Sequence, residues 1–235
     1  MSTPEVSAPP ARRRPGLFVV VEGGDGAGRS TQVRLLLPWL EESGWASTHL
    51  GLGRSALLRR AFRAYRRTLE AGPQTLALLY AADLRDQAEG AVRAGLASGF
   101  VVVADRWTGA ARARCQVRGV DPGWLDAILP EDPSPDVIFY LDADPRQRLA
   151  REIGKRGIPD FRESGRDLGL DADPLRGFVR YQSLLDRQYA RIEAGCAAHW
   201  VRVEAGAGPE QVQSELRRVL LSLLRVPSEG AAGDE

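Results

Sequence analysis

Lysine is almost absent from this chain of 235 residues, because Lys155 is the only one among 32 basic residues and all the others are arginine. Cysteine and histidine are scarce too, since the chain has only Cys115, Cys196, His49 and His199. The two cysteines lie far apart in the sequence and form no metal-type cluster, and neither histidine has an evident ligand partner. We therefore interpret all four side chains as structural and expect no metal centre built on them.

Neither charge of one sign nor long apolar runs dominate the sequence. The formal net charge is +1, which gives no reason to expect a nucleic-acid partner. No apolar stretch is long enough to cross a membrane, and the arginines at 12–14 are not followed by a signal-type apolar core. We expect a cytoplasmic protein with one domain at 16–227, between a disordered leader at 1–15 and a flexible, acidic tail at 228–235.

A glycine-rich loop follows the first predicted strand. Residues 17–21 form a continuous apolar run of β-formers, which is typical of a central parallel strand, and apolar residues recur at helical spacing from Val33 to Leu40. Between them, Gly23, Gly28 and Ser30 fit the Walker A spacing, in which backbone N–H groups at a helix N-terminus hold phosphate and the hydroxyl contacts magnesium. The sequence therefore predicts an ATP-binding loop of Gly23, Gly24, Asp25, Gly26, Ala27, Gly28, Arg29, Ser30 and Thr31.

Arg29 stands where the Walker A pattern has a lysine. Arginine keeps the positive charge, but its planar head is broader than the compact ammonium group of lysine. Three interpretations stay open. In the first, Arg29 reflects the arginine-rich composition of the chain and activity is retained. In the second, catalysis has been lost while nucleotide binding remains. In the third, Lys155 supplies the missing ammonium group.

The rest of the chain alternates strands with helices. We predict further strands at 46–50, 100–104, 137–141 and 200–203, and helices at 57–69, 74–96, 146–156, 175–192 and 212–223. The polar, glycine-bearing stretch at 157–173 is expected to be a mobile loop. This order predicts an α/β fold with a parallel sheet flanked by helices in three layers, of the P-loop NTPase type. Asp105 and Arg106 follow a buried strand, so we expect them at the carboxyl edge of the sheet, where ligands bind.

Four stretches together resemble the thymidylate kinase family, whose members phosphorylate dTMP with ATP. They are residues 22–28, 79–83, 105–107 and 141–145, the last running on to 155–157. The resemblance extends from about residue 17 to the final predicted helix. It implies phosphorylation of a nucleoside monophosphate, ATP and Mg²⁺ as cofactors, a mobile lid at about 155–173 and a homodimer.

The resemblance also implies roles for individual residues. Asp25, Arg29, Asp105 and Arg106 match catalytic positions, with Arg106 gripping the acceptor phosphate and Asp105 and Ser30 near the metal. Tyr80 matches the aromatic residue that stacks on the acceptor base. Lys155, Arg162 and Arg166 fall in the lid. Phosphoryl transfer makes such roles sensible, because two polyanions must be aligned and their charge neutralised.

The acceptor side departs from the family pattern in three places. The arginine expected after Ala82-Asp83 is Leu84 here, and its candidate replacement, Arg85, lies one position later, a rotation of about 100° on a helix. The family's Arg-x-Pro-Gly-Gly segment after the second strand is missing, and 108–116 departs from the family's usual residues. The alternatives are therefore a catalytically impaired nucleotide-binding protein, or a kinase for a modified nucleotide or another small metabolite.

Overall fold

The computed structural model describes residues 16–68 and 71–224. The leader predicted at 1–15 and the tail predicted at 228–235 lie outside the described residues, as does the end of the helix predicted at 57–69. Within the described part, five strands form one sheet and helices cover both of its faces.

All five strands run parallel to one another. They are β1 (Leu17–Glu22), β2 (Ser47–Gly51), β3 (Val101–Asp105), β4 (Val137–Asp142) and β5 (Trp200–Glu204), in the order β2-β3-β1-β4-β5 across the sheet. β1 is central, with Val21 opposite Asp105 of β3 and Glu22 opposite Tyr140 of β4. The glycine-rich loop after β1 therefore begins at the middle of the carboxyl edge, where open α/β sheets bind ligands.

Helices form the two outer layers. Those described are α1 (Arg29–Glu42), α2 (Arg59–Thr68), α3 (Pro73–Gln87), α4 (Arg93–Ala97), α5 (Thr108–Gln116), α6 (Pro122–Ile128), α7 (Pro145–Arg156), α8 (Pro174–Ala194) and α9 (Pro209–Leu224). Val19 and Val21 of β1 pack with α1 and α9, whereas Phe18 and Val20 pack with α3 and α5. Alternate residues of β1 thus pack into two hydrophobic cores, one on each face of the sheet. This confirms the predicted three-layer parallel architecture. No helix in the described ranges is both long enough and apolar enough to cross a membrane.

Two parts of the helical pattern differ from the prediction. A π-helical turn at Ala88–Val92 separates α3 from α4, where the periodicity predicts one helix at 74–96. The short helices α5 and α6 have no counterpart in the prediction. α6 has a local signal, because Asp121 caps it and Pro122 occupies its first position. α5 has no side-chain cap from a neighbouring residue, so nothing in its own sequence marks its start.

Glu22 provides that missing cap from the end of β1. Its Oε1 accepts hydrogen bonds from the backbone N–H groups of Trp107 and Ala110, at 2.9 and 3.0 Å. Its Oε2 accepts a hydrogen bond from the hydroxyl of Tyr189, at 2.9 Å. Burial raises the pKa of Glu22, and the three hydrogen bonds oppose that rise. One buried carboxylate therefore joins β1, the start of α5 and α8, and fixes the turn that carries Arg106.

Glu22→Ala should lower the free energy of unfolding by about 3 kcal/mol or more, because three buried donors lose their acceptor at about 1–3 kcal/mol each. Urea denaturation measures the difference. Tyr189→Phe is the matched control, since it removes only one of the three donors and should cost about 1 kcal/mol. If Glu22→Ala were no more destabilising than Tyr189→Phe, the carboxylate would not be the link between β1 and α5.

Candidate active site

The loop after β1 has the backbone geometry of a phosphate cradle. Gly26 has φ of +78° and Gly28 has φ of +99°, a left-handed region that glycine enters without strain. At Gly26 a Cβ would also lie 2.5 Å from the carbonyl oxygen of Arg148 in α7. Among the described residues, the N–H groups of Gly26, Gly28, Arg29 and Ser30 donate no hydrogen bond within the protein. These free donors at the start of α1 are suited to an anion.

Arg29 is folded back into this loop. Its Nη1 donates hydrogen bonds to the carbonyl oxygens of Gly23 and Gly24, and its Nε donates to Oδ1 of Asp105 at 3.1 Å. The residue is only 7% exposed. Burial lowers the pKa of Arg29, as does the charge of Arg106, while Asp105 opposes the shift. A single planar guanidinium group therefore satisfies three acceptors, which the ammonium group of a lysine cannot match in the same geometry.

Asp105, at the end of β3, lies beside the loop as predicted. Its Oδ2 accepts a hydrogen bond from the hydroxyl of Ser30 at 2.9 Å and lies 3.4 Å from Nη2 of Arg54. Burial alone would raise the pKa of Asp105, but the charges of Arg29 and Arg106 outweigh burial and lower it. The described residues include no group of three or more acidic, histidine or cysteine side chains suited to a metal. The oxygens of Ser30 and Asp105 still fit Mg²⁺, which commonly uses one or two protein ligands together with waters and substrate phosphates.

Asp25 is the centre of a second charged group. Its Oδ1 accepts hydrogen bonds from Arg106 and from Arg114, the latter at 2.8 Å. Its Oδ2 accepts from Arg114 and from the amide of Gln182, both at 3.0 Å. The backbone N–H of Asp25 donates in turn to Gln182 at 2.9 Å. Burial would raise the pKa of Asp25, but Arg114, Arg106 and Arg29 lower it well below its usual range. The carboxylate thus stays ionised and firmly held.

Arg106 reaches this group from a strained backbone. It is the one described residue other than glycine with a positive φ, at +70°. Such a conformation costs about 1–3 kcal/mol and persists where the surrounding structure enforces it, often at functional sites. Glu22 enforces it here by holding the next residue, Trp107. The strand end therefore directs Arg106 into the cavity next to the loop.

Two aromatic side chains, Tyr80 and Phe62, lie near Arg114. Tyr80 of α3 stacks on Phe62 of α2 with ring centroids 5.9 Å apart. Nearby, Arg118 donates to the hydroxyl of Tyr181 at 2.7 Å and to Asp167 at 2.8 Å. The predicted stacking residue thus belongs to an aromatic group formed by α2 and α3, close to Tyr181 and Arg118.

Arg85 does not join this aromatic group. It is exposed, and its side chain makes none of the hydrogen bonds or ion pairs found among the described residues. Leu84, at the position where the family has arginine, is fully buried in the core. The arginine expected from α3 therefore has no counterpart among the groups around Asp25.

Of the three residues predicted to lie in a lid, only Lys155 lines the cavity at the loop. Lys155 and Arg156 line the loop cavity, of about 180 Å³, together with Glu152 and Glu163. Arg162 instead lies over the ring of Tyr65, 4.4 Å from its centroid, and donates to the carbonyl of Ala71 at 3.2 Å. Arg166 is exposed and lies near the ring of Phe161. In this conformation the only lysine, rather than the two lid arginines, faces the loop.

Sequence reasoning missed several residues of this site, above all Arg114, Gln182, Glu22 and Arg54. Gln182 carried a usable signal, because an amide on the otherwise apolar face of α8 must find hydrogen bonds when buried. Arg114 carried a weaker one, as a charge among alanines in α5. Glu22 carried a signal like that of Asp105, because it directly follows a buried apolar run, whereas Arg54 carried none that separates it from an ordinary surface residue. A larger cleft of about 1050 Å³ lies between α5, α6 and the end of α8, and it includes no residue of the loop.

Comparisons with known proteins agree with this geometry. The family model described as thymidylate kinase matches residues 21–168. The "Probable thymidylate kinase 2" of Saccharolobus solfataricus is 30% identical over 213 residues, which cover 87% of this chain and 95% of that protein. The "Thymidylate kinase" of Gloeobacter violaceus is 30% identical over 204 residues, covering 84% and 93%. The "Probable thymidylate kinase" of Pyrococcus abyssi is 33% identical over 156 residues, covering 62% and 74%.

The family match covers the loop, β3 with its following turn, and most of the lid, and two of these relatives align over nearly their whole length. This chain belongs to the thymidylate kinase family.

Proposed function

We propose that the protein transfers the γ-phosphoryl group of ATP to a nucleoside monophosphate, with dTMP as the first candidate and dTDP and ADP as products. The observation that carries the proposal is a cavity in which the free N–H groups of the loop lie beside Arg106 and Asp25. Tyr80, the residue predicted to stack on the acceptor base, packs on Phe62 outside the lining of that cavity. Family membership and the names of the relatives support dTMP as the acceptor.

The proposed mechanism is positioning and charge neutralisation. The loop N–H groups bind the ATP phosphates. Ser30 and Asp105 would hold Mg²⁺, which would neutralise charge on the phosphate oxygens. Arg106 holds the acceptor phosphate in line, and Tyr80 contacts the base. Lys155 approaches the transferring group as the lid at 155–173 closes, with Arg162 and Arg166 moving with it and excluding water. The cytoplasmic location and the homodimer implied by the family stay predictions.

Two other functions each have a specific observation in their favour. Arg29 is committed to Gly23, Gly24 and Asp105, which favours a protein that binds nucleotide but turns it over poorly. The acceptor side has Leu84 buried and Arg114 on Asp25, which favours a kinase for a modified nucleotide or another small metabolite.

An assay of ADP formation from ATP and Mg²⁺ across a panel of nucleoside monophosphates tests the proposed function. We expect acceptor-dependent turnover, fastest with dTMP. Ser30→Ala, purified in the same way, is the control for contaminating kinases and should lose roughly a hundredfold in kcat. ATP binding without turnover on any acceptor would favour the impaired-binder alternative. Turnover only on a compound outside the panel would favour the other-metabolite alternative.

Arg29→Lys should lower kcat by about threefold to tenfold, because a single ammonium nitrogen cannot occupy the two positions, Nε and Nη1, from which the guanidinium group reaches its three acceptors. Arg29→Met should lose about a hundredfold, since the charge disappears with the hydrogen bonds. Steady-state kinetics at saturating ATP measure both. Unchanged or faster turnover in Arg29→Lys would mean that the guanidinium shape is not needed, and that arginine stands here through the bias of the composition alone.

Lys155→Ala should lower kcat by about tenfold to a hundredfold while the KM for ATP changes little, because the ammonium group acts only when the lid closes. Lys155→Arg keeps the charge and should retain most of the activity. Separate values of kcat and of KM for each substrate distinguish this role from ATP binding, because loss of an ATP contact would raise the KM for ATP instead. Equal activity of Lys155→Ala and the unaltered protein would remove Lys155 from the mechanism.

A further inference from the structure

We propose that Arg114 is a second acceptor-phosphate-binding residue, which forms with Arg106 a paired-guanidinium receptor held in place by Asp25. This inference rests on the proposed function and deepens it, because it names a residue that determines how the acceptor binds. Arg114 lies in α5, in the stretch at 108–116 that departs from the family pattern.

The first argument is geometric. Arg106 and Arg114 donate to the same oxygen, Oδ1 of Asp25, so their guanidinium groups lie side by side. The side-chain amide of Gln182 donates to Oδ2 of Asp25 at 3.0 Å and accepts from the backbone N–H of Asp25 at 2.9 Å. Asp25 thus holds two guanidinium groups next to each other, that of Arg106 from the end of β3 and that of Arg114 from α5.

The second argument is the number of unused donors. A guanidinium group carries five N–H donors. Among the hydrogen bonds of the described residues, Arg106 and Arg114 each donate only through Nη2, and only to Asp25. Nε of Arg106 is buried without a partner. Buried donors are rarely left unpaired, so this orphaned N–H indicates a ligand with acceptor oxygens.

The third argument is charge. Two guanidinium groups share one carboxylate, Asp25, which is only 4% exposed, while Glu152 and Glu163 of the same cavity pair with Arg156. Among these ion pairs, the guanidinium groups on Asp25 therefore outnumber its carboxylate by one. The neighbouring Arg29 and Asp105 neutralise each other. A phosphate monoester carries nearly two negative charges at neutral pH and binds arginine in fork geometry. An anionic phosphate therefore fits the excess charge and a neutral group does not.

The fourth argument is position. Arg106 lines the loop cavity, at the phosphate end of the site. Arg114 lies toward the aromatic end: burial raises the pKa of Tyr80, and the charge of Arg114 is the largest effect that opposes the rise. An acceptor that stacks on Tyr80 and points its phosphate at the loop would pass Arg114. Arg118, one turn later, is already occupied by Asp167, Tyr181 and a backbone carbonyl.

Direct binding measurements on Arg114→Gln test the inference. Titration calorimetry gives the Kd of the tightest-binding monophosphate of the panel, of its matching nucleoside and of ATP. We expect a Kd for the monophosphate raised by about tenfold to a hundredfold, the loss of a charge-assisted hydrogen bond, with the nucleoside and ATP unchanged. Arg114→Lys should recover only part of the affinity, because it keeps the charge without the fork.

Arg112→Gln is the matched control. Arg112 lies two residues away on the same helix, pairs with Asp126 and lines the larger cleft away from the loop. It should bind all three ligands as the unaltered protein does. Thermal denaturation shows whether each variant is folded. If Arg114→Gln does not fold, the Kd values of Arg114→Lys are used instead.

Two results would overturn the inference. One is an unchanged Kd for the monophosphate in Arg114→Gln, or in Arg114→Lys where that variant is the one read. The other is equal weakening for the monophosphate and its nucleoside, which would assign Arg114 to the sugar or base. Both differ from failure of the proposed function, in which the unaltered protein binds the monophosphate but forms no ADP. A protein that binds no monophosphate at all would overturn both proposals.

Discussion

Two carboxylates, Asp25 and Asp105, are buried at the carboxyl edge of the sheet and stay ionised only because guanidinium groups surround them. An unpaired charge in such a place costs several kcal/mol, so each carboxylate determines where its arginines lie. Asp105 holds Arg29 in the loop and Asp25 holds Arg106 and Arg114 beside it. The arginines around the loop are thus held by two carboxylates at the carboxyl ends of two neighbouring strands, β1 and β3.

Glu22 extends this arrangement into the frame of the protein. It is the last residue of β1, immediately before the loop, and it binds the first turn of α5 and the hydroxyl of Tyr189 in α8. α5 carries Arg114, and α8 carries Gln182, which holds Asp25. The loop, Arg106, Arg114 and Gln182 therefore all depend on elements that meet at one strand end. A shift of β1 against α5 would move the glycine-rich loop and Arg114 relative to each other.

The parts of this structure that the sequence predicts are those whose signals are local. The apolar run at 17–21 predicts β1, the glycine spacing predicts the loop, and the buried run before Asp105 places that residue at the sheet edge. The partners of Asp25 have no local signal, because Arg114 and Gln182 are 89 and 157 residues away. α5 is missed for the same reason, since Glu22 caps it from a distance of 85 residues or more. Arg85 shows the reverse error: a residue chosen by its closeness in sequence points to solvent because the helix period turns it away.

Because Arg29 stands where the Walker A pattern has lysine, the cation that can move with the transferring phosphate in the proposed mechanism is not in the loop. A lysine at the start of α1 has a flexible stem and a small ammonium group, so it can follow the phosphate during transfer. Arg29 is instead buried and bound to two backbone carbonyls and a carboxylate, so its charge is part of the fixed structure of the loop. The compact, adjustable cation of this chain is Lys155, which lies on the last turn of α7 and lines the same cavity. In the proposed mechanism, charge neutralisation at the transferring group therefore depends on closure of the lid rather than on the loop alone. In that mechanism, closure of the lid both excludes water and brings the ammonium group of Lys155 to the transferring phosphate. This suits a phosphoryl transfer in which hydrolysis of ATP must be avoided.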